Sequence, residues 1–413
     1  MKKSLLLILL PIVFIRAFSQ DDPYEITQYN FIDLDANKLN IFGDTSEFNH
    51  LFLSLNKLVL KGEGQINILH IGDSHLQADY FSGRMRQRLQ TFFKGGLGGR
   101  GFIFPYRVAN TNNPFNLRTD FTGNWEPCKN VDKNKICDLG ISGISVTTYD
   151  TISGINIFLR DKDYLKYDFN GIIVFHNTDS SSFDIQISNK IDSTTKYTND
   201  SMGYTSFAFN KYVDDTLRLN FVKTKSNQNR FVLHGISFET DDPGIIYHSI
   251  GVNGADVDAF LRCVYFSKHL KVLDPDLMII SLGTNDGYMK SIDSAKVANN
   301  FASLISMIKN TMQGMPIILT TPGDSYRYKR YLNENIPKIR EIIFRQAEIN
   351  NFAVWDFFTI MGGLNSISLW YKADLTAKDK LHLNGRGYLL QGDLMFNAFL
   401  KAYDNYIDHQ TNK

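Results

Sequence analysis

Apolar positions along this chain follow two different periods. From residue 65 to about 106, and again from about 247 to 406, short apolar runs alternate with stretches whose apolar residues recur at helical spacing. In order these include the run 277–282, then Val297, Phe301, Leu304, Ile305 and Ile308, then the run 316–320, the helical pattern 336–349 and the run 352–355. Such alternation predicts βαβ units, and so a parallel sheet covered by helices on both faces. The middle of the chain reads differently. Short alternating runs at 155–159, 172–175, 184–187, 207–209, 217–221 and 231–238, separated by Asn, Asp, Ser and Gly, predict an all-β sandwich without helices. The expected organisation is a signal peptide at 1–20, a lead-in at 21–64, a first α/β segment at 65–125, an inserted sandwich at 126–240, a second α/β segment at 241–406 and a tail at 407–413. Residues 107–125, rich in Asn and Thr, fit either part.

Composition narrows the class. With 413 residues, 43% of them hydrophobic and 21% charged, the chain is ordinary for a globular protein and long enough for two cores. Lys and Arg number 44 against 43 Asp and Glu, so no net field favours nucleic acid or an anionic membrane. Met1-Lys2-Lys3, the apolar run 5–15 and Ala17-Phe18-Ser19 form the pattern of a secretory signal, with cleavage expected near Ser19 or Gln20. The expected product is exported, periplasmic or secreted, soluble and without stable membrane insertion; no Cys follows the run to carry a lipid, and the oligomeric state stays open. Export permits disulfides, and Cys128 and Cys137 are close enough to bridge a small surface loop, although two free thiols fit as well. Cys263 lies among Val257, Phe260, Leu261, Val264 and Tyr265 at helical spacing, which suits a buried apolar residue better than a nucleophile.

The chemistry begins at Gly72-Asp73-Ser74-His75, behind the apolar run 66–71. A strand that ends in a small-residue turn and feeds a helix presents a hydroxyl at the sheet's C-terminal edge, where open α/β sheets carry their sites. That hydroxyl needs a base, and the base needs a carboxylate to fix its tautomer. Asp379 and His382 supply both from one short loop that opens the last helical pattern. Asn285, in Ser281-Leu282-Gly283-Thr284-Asn285-Asp286 behind a strand, and Gly254, in Gly251-Val252-Asn253-Gly254, are donors suited to an oxyanion, together with the Ser74 amide. The nine His are scattered, with neither His-x-x-x-His nor Cys-x-x-Cys, so neither a metal nor a cofactor is expected.

These four blocks, in this order, resemble the SGNH or GDSL-type hydrolases, over about 200 residues of the α/β part. The resemblance implies a flavodoxin-like parallel sheet, Ser74 as nucleophile, His382 and Asp379 as the other triad members, and Gly254 and Asn285 as oxyanion donors. Here His75 stands where Leu is usual, similar to exported enzymes that add or remove acetyl groups on polysaccharides. Asp79-Tyr80-Phe81, the Gly-rich segment 95–102, Met361-Gly362-Gly363 before Trp370, and the inserted sandwich look like the peptidoglycan O-acetylesterase branch, whose insert resembles a carbohydrate-binding module. The cleft candidates are therefore Asp73, His75, Gly101, Met361, Gly362, Gly363 and Trp370, against plainer readings of a structural His, a flexible turn and core packing. The expected activity is removal of O-acetyl groups from a glycan, with peptidoglycan as partner. The same residues would serve an O-acetyltransferase or a lipid-directed esterase, and a non-catalytic glycan-binding protein would use the sandwich alone.

Overall fold

The computed structural model describes residues 24–160, 165–189 and 194–411. The signal expected at 1–20 lies outside the described residues. Seven strands form the α/β sheet in the order Leu39–Ile41, Ala353–Trp355, Ile317–Thr320, Leu277–Ser281, Gln65–Gly72, Gly244–Gly251, Leu97–Gly99. All pairs are parallel except at the Leu39–Ile41 edge, which runs antiparallel to Ala353–Trp355. Taken by first appearance, the five inner strands follow the flavodoxin-like order 2-1-3-4-5.

The apolar runs are continuous because both faces of this sheet are covered, and parity sorts them. On Gln65–Gly72, Leu69 and Ile71 join one core with the helices Phe266–Leu273, Ser294–Thr311 and Ile336–Asn350. Ile66 and Ile68 join the other, with Ser46–Lys61, Phe81–Thr91 and Gly385–Thr411. Among the described residues no helix is long and apolar enough to cross a membrane.

The antiparallel part has two sheets. One runs Asp184–Ile187, Thr216–Val222, Ile152–Leu159, Leu117–Thr122; the other runs Thr194–Asn199, Tyr204–Val213, Phe169–His176, Phe231–Glu239, Ile144–Thr148, Glu126–Lys129, with Gly101–Ile103 also paired to Phe231–Glu239. The sandwich does not keep a core to itself. Ile155, Leu219 and Phe221 belong to the same apolar cluster as Ile250, Met278 and Leu304 of the α/β part, so it is packed onto one side of the parallel sheet.

Three expected boundaries move. The chain leaves the parallel sheet at Arg100, between Leu97–Gly99 and Gly101–Ile103, and Leu117–Thr122 pairs with Ile152–Leu159, so the sandwich begins well before 126. The lead-in 21–64 is part of the α/β unit, since it supplies the edge strand Leu39–Ile41 and the helix Ser46–Lys61. The last helix, Gly385–Thr411, continues beyond 406. Cys128 and Cys137 are joined by a disulfide with Cα atoms 6.5 Å apart. Cys263 is free and buried, in the turn between two short helices, Val257–Leu261 and Phe266–Leu273.

Candidate active site

Register brings three chain segments to one edge. Gly72 is paired across to Gly251 on one side and to Ser281 on the other, so three strands end at the same level. Ser74, Gly254 and Asn285 follow those ends by two, three and four residues. Two glycines permit the approach. A Cβ on Gly72 would lie 2.7 Å from the Ser281 carbonyl oxygen, and one on Gly251 would lie 2.3 Å from the Gln77 nitrogen, where the short helix Ser74–Gln77 settles onto the neighbouring strand.

Asp73 caps that helix by accepting from the His75 amide at 3.0 Å, which leaves Ser74 in its first position. The Ser74 hydroxyl donates to His382 Nε2 at 2.9 Å, and His382 Nδ1 donates to Asp379 Oδ2 at 2.8 Å. A carboxylate only accepts, so the proton of the neutral ring sits on Nδ1 and Nε2 is left as the acceptor. The local sequence builds the second half by itself. Asp379 Oδ1 accepts from the amides of Leu381 and His382, both at 3.0 Å, while Lys380 takes a left-handed φ of 52°, a side-chain-closed turn. Asn384 then accepts from the Gly387 amide at 3.0 Å and opens the last helix. Burial pushes the Asp379 carboxyl up, but the bonds from the His382 ring and these two amides outweigh it and hold the group below the ordinary carboxylate value.

Behind this chain the groups are buried. Asp73 is 1% exposed, and burial pushes its carboxyl up to about 6, against bonds from the His75 amide and Thr284 that pull it down. Asn285 Nδ2 donates to the Ala255 carbonyl at 2.9 Å and to Asp73 Oδ2 at 3.2 Å. His75 lies against His382, ring centroids 5.1 Å apart, and its Nδ1 meets the Tyr388 hydroxyl at 2.9 Å. Burial, and then the neighbouring His382, lower the His75 ring to about 3, so it is neutral. Tyr388 is a partner that motif reading did not single out. A small pocket beside the site is lined by Asp73, His75, Thr284, Asp324, Met361 and Gln391. In it His75 Nε2, Asp324 Oδ1 and Gln391 Oε1 are buried without a protein partner, a polar lining that suits water.

The structure thus brings Ser74, His382, Asp379, Asp73, His75 and Asn285 together. Gly254 stands close by, in an exposed turn at φ 82°. Of the remaining cleft candidates, Met361 lines the pocket beside Asp73 and His75, and the others are elsewhere. Trp370 and Met361 are fully buried, with the indole donating to the Met361 carbonyl at 2.9 Å, so Trp370 is core and not a sugar-facing wall. Gly362 and Gly363 form the turn after Met361; a Cβ on Gly362 would lie 2.7 Å from the Phe31 carbonyl oxygen. Gly101 is buried where the chain crosses between sheets, with a Cβ position 3.0 Å from His248 Nδ1. Its glycine serves backbone packing and not access to a ligand.

The flavodoxin-like sheet, with Ser, His and Asp at its C-terminal edge, and the added all-β part have the SGNH hydrolase fold. The model of the GDSL-like Lipase/Acylhydrolase family matches residues 193–390. That stretch holds Gly254, Asn285, Asp379 and His382 but begins after Ser74, which the insert separates from the other blocks. A peptidoglycan O-acetylesterase structure superposes with a TM-score of 0.73 at 20% identity, over 89% of this chain and 99% of that one. A lipase/acylhydrolase from Enterococcus faecalis (TM-score 0.31, 20% identity, 39% of this chain and 78% of that one) and the acetyl xylan esterase AlAXEase (0.30, 21%, 37% and 80%) match far less of it. No curated protein matches the chain.

Proposed function

We propose that this protein is an exported serine esterase that removes O-acetyl groups from a polysaccharide, with O-acetylated peptidoglycan as its substrate. One observation carries the reading: the unbroken hydrogen-bond chain from Ser74 Oγ through the His382 ring to Asp379. In the reaction Ser74 Oγ attacks the acetyl carbonyl while His382 Nε2 takes its proton, and Asp379 orients the ring and offsets its new charge. The tetrahedral oxyanion lies against the amides of Ser74 and Gly254 and the Asn285 side chain, each such donor contributing on the order of 3 kcal/mol. Asn285 offers the hydrogen now in the longer contact, 3.2 Å to Asp73. His382 returns its proton to the leaving sugar oxygen. Water then attacks the acetyl-Ser74, giving up its proton to the same nitrogen, and His382 passes that proton to Ser74 Oγ as the ester bond breaks and acetate leaves.

The substrate class rests on the likeness to a peptidoglycan O-acetylesterase, which extends over the insert as well as the α/β part. Export is supported by the N-terminal signal pattern and by the Cys128–Cys137 disulfide, which an oxidising compartment preserves. The test is acetate release from O-acetylated peptidoglycan, acetylated xylan and p-nitrophenyl acetate by wild type and Ser74→Ala. Wild type is expected to release acetate fastest from peptidoglycan, and Ser74→Ala to lose activity on all three. Wild-type rates in Ser74→Ala would overturn the assignment, and acetyl groups reappearing on a second glycan would make the protein a transferase.

A further inference from the structure

We infer, on the basis of the esterase assignment above, that Tyr80 and Phe115 form a glycan subsite: an aromatic shelf on which a pyranose ring of the acetylated chain packs while its acetyl group reaches Ser74. The two rings are stacked, with centroids 4.3 Å apart and planes 9° from parallel. Phe115 is 54% exposed, so the outer side of the stack faces solvent.

Both ends of the shelf are tied to the reacting residues. The Phe115 amide donates to the Ala78 carbonyl at 3.4 Å, and Ala78 closes the single helical turn that Ser74 opens, about 6 Å further along the axis at 1.5 Å per residue. On the other side Gly385, three residues after His382, stands against Tyr80; a Cβ there would be 3.5 Å from Tyr80 Cε1. The shelf therefore lies between the helix that Ser74 opens and the loop that carries His382.

The support beneath it is unusually firm for a surface pair. Asp79, next to Tyr80, is held at a left-handed φ of 55° and is 2% exposed. Its carboxylate accepts from Arg86 at 2.7 Å, Arg100 at 2.9 Å, Ser82 at 2.7 Å and Asn116 Nδ2 at 2.9 Å. Asn116 is the neighbour of Phe115, so one bond locks the two aromatic residues to each other from below. A buried ion cluster gives little net stability and is better suited to fixing geometry, and left-handed backbone at a non-glycine residue is strain of the sort that persists at binding sites. Phe115 reaches the site from the first segment of the sandwich, which gives the insert a direct part in substrate binding.

The occupant follows from the surroundings. In the loop that leads into Phe115, Asn112 Oδ1 accepts from Asn253 Nδ2 at 2.8 Å, and Asn113 accepts from the Arg107 amide at 2.8 Å. Uncharged amides around an aromatic face suit a sugar, whose C–H face packs on the ring and whose hydroxyls meet the amides. A fatty acyl chain would call for a continuous apolar groove.

The experiment compares Phe115→Ala and Phe115→Trp with wild type on O-acetylated peptidoglycan fragments and p-nitrophenyl acetate, with a long-chain p-nitrophenyl ester as a third substrate. Ser74→Ala serves as the control for the assignment of the site, and Ser74→Ala with and without Phe115→Ala is titrated with the same fragments. The shelf predicts that Phe115→Ala lowers kcat/KM on the fragments about tenfold more than on p-nitrophenyl acetate, mainly through KM. It also predicts that Phe115→Trp restores the fragment activity and that Phe115→Ala weakens fragment binding to the Ser74→Ala protein by about tenfold. Equal effects on the fragments and p-nitrophenyl acetate, or unchanged fragment binding, overturn the shelf while an inactive Ser74→Ala leaves the esterase assignment standing. Full activity in Ser74→Ala overturns that assignment instead. A loss greater on a long-chain aryl ester than on the fragments would replace the sugar with an acyl chain and also sink the proposal.

Discussion

The inner and outer sides of the Ser74 hydroxyl carry aromatic residues of opposite character. Inward lies Trp370, fully buried against Met361, whose side chain lines the pocket beside His75. Outward lie Tyr80, half-buried, and Phe115, exposed, stacked on each other. An indole is the larger aromatic surface, yet a ring with no free face can only stabilise the fold. Only an exposed ring can meet a substrate.

The contrast can be broken first at the line that separates the two sides. Ser74→Ala is expected to reduce acetate release by about 10⁴-fold or more, leaving what the oxyanion donors and binding alone provide. Activity within tenfold of wild type would dissolve the distinction between the two sides. Asp379→Asn keeps the shape but loses the tautomer control, with an expected kcat loss of about 10²–10⁴-fold. Because the Asp379 carboxyl sits below the ordinary carboxylate value, it stays charged as pH falls to that value. The residual activity of Asp379→Asn should therefore show as many ionisations in the acid limb of kcat/KM, down to about pH 4, as wild type does. A step present only in wild type would contradict the held charge.

On the inner side, Trp370→Ala is expected to destabilise the fold by about 3–5 kcal/mol in urea titrations while the ratio of glycan to aryl-ester activity stays at the wild-type value. A changed ratio without lost stability would return Trp370 to the cleft. The smallest effect concerns Asp73. Its carboxyl, held at about 6 against 3.8 unfolded, binds protons more readily in the folded state, so stability falls as pH rises between those values. Above pH 6 the buried charge costs on the order of 3 kcal/mol. Asp73→Asn should therefore raise stability by roughly 1–3 kcal/mol at pH 7 and by nothing near pH 4; a gain that does not vary with pH would assign the effect to packing.

Much of the site was readable along the chain, and the reason is range. Asp379 and His382 are three residues apart, so one side-chain-closed turn places them without help from the rest of the fold. Gly72 to His75 combines a strand end and a helix start, and the parallel sheet follows from apolar runs alternating with helical patterns. The boundary of the sandwich was not readable, since Leu117–Thr122 carries its alternation faintly amid Asn and Thr and is defined only by pairing with Ile152–Leu159. Trp370 misled because an apolar ring beside a Gly-Gly turn looks the same in sequence whether it lines a cleft or fills a core. Phe115 carried no signal at all: a single ring among Asn and Pro has no period.

The sequence by itself determined the class of fold, the strand-to-helix turn at Ser74, and the Asp379–His382 pair, because each depends on contacts within a few residues or on the periodicity of one element. Tertiary structure alone decided that Ser74 lies 2.9 Å from a ring 308 residues away, that Trp370 is sealed in and that Phe115 lies against Tyr80. Those facts arise from how distant segments close onto one another, and burial is shared among segments that carry no mark of each other in their own composition.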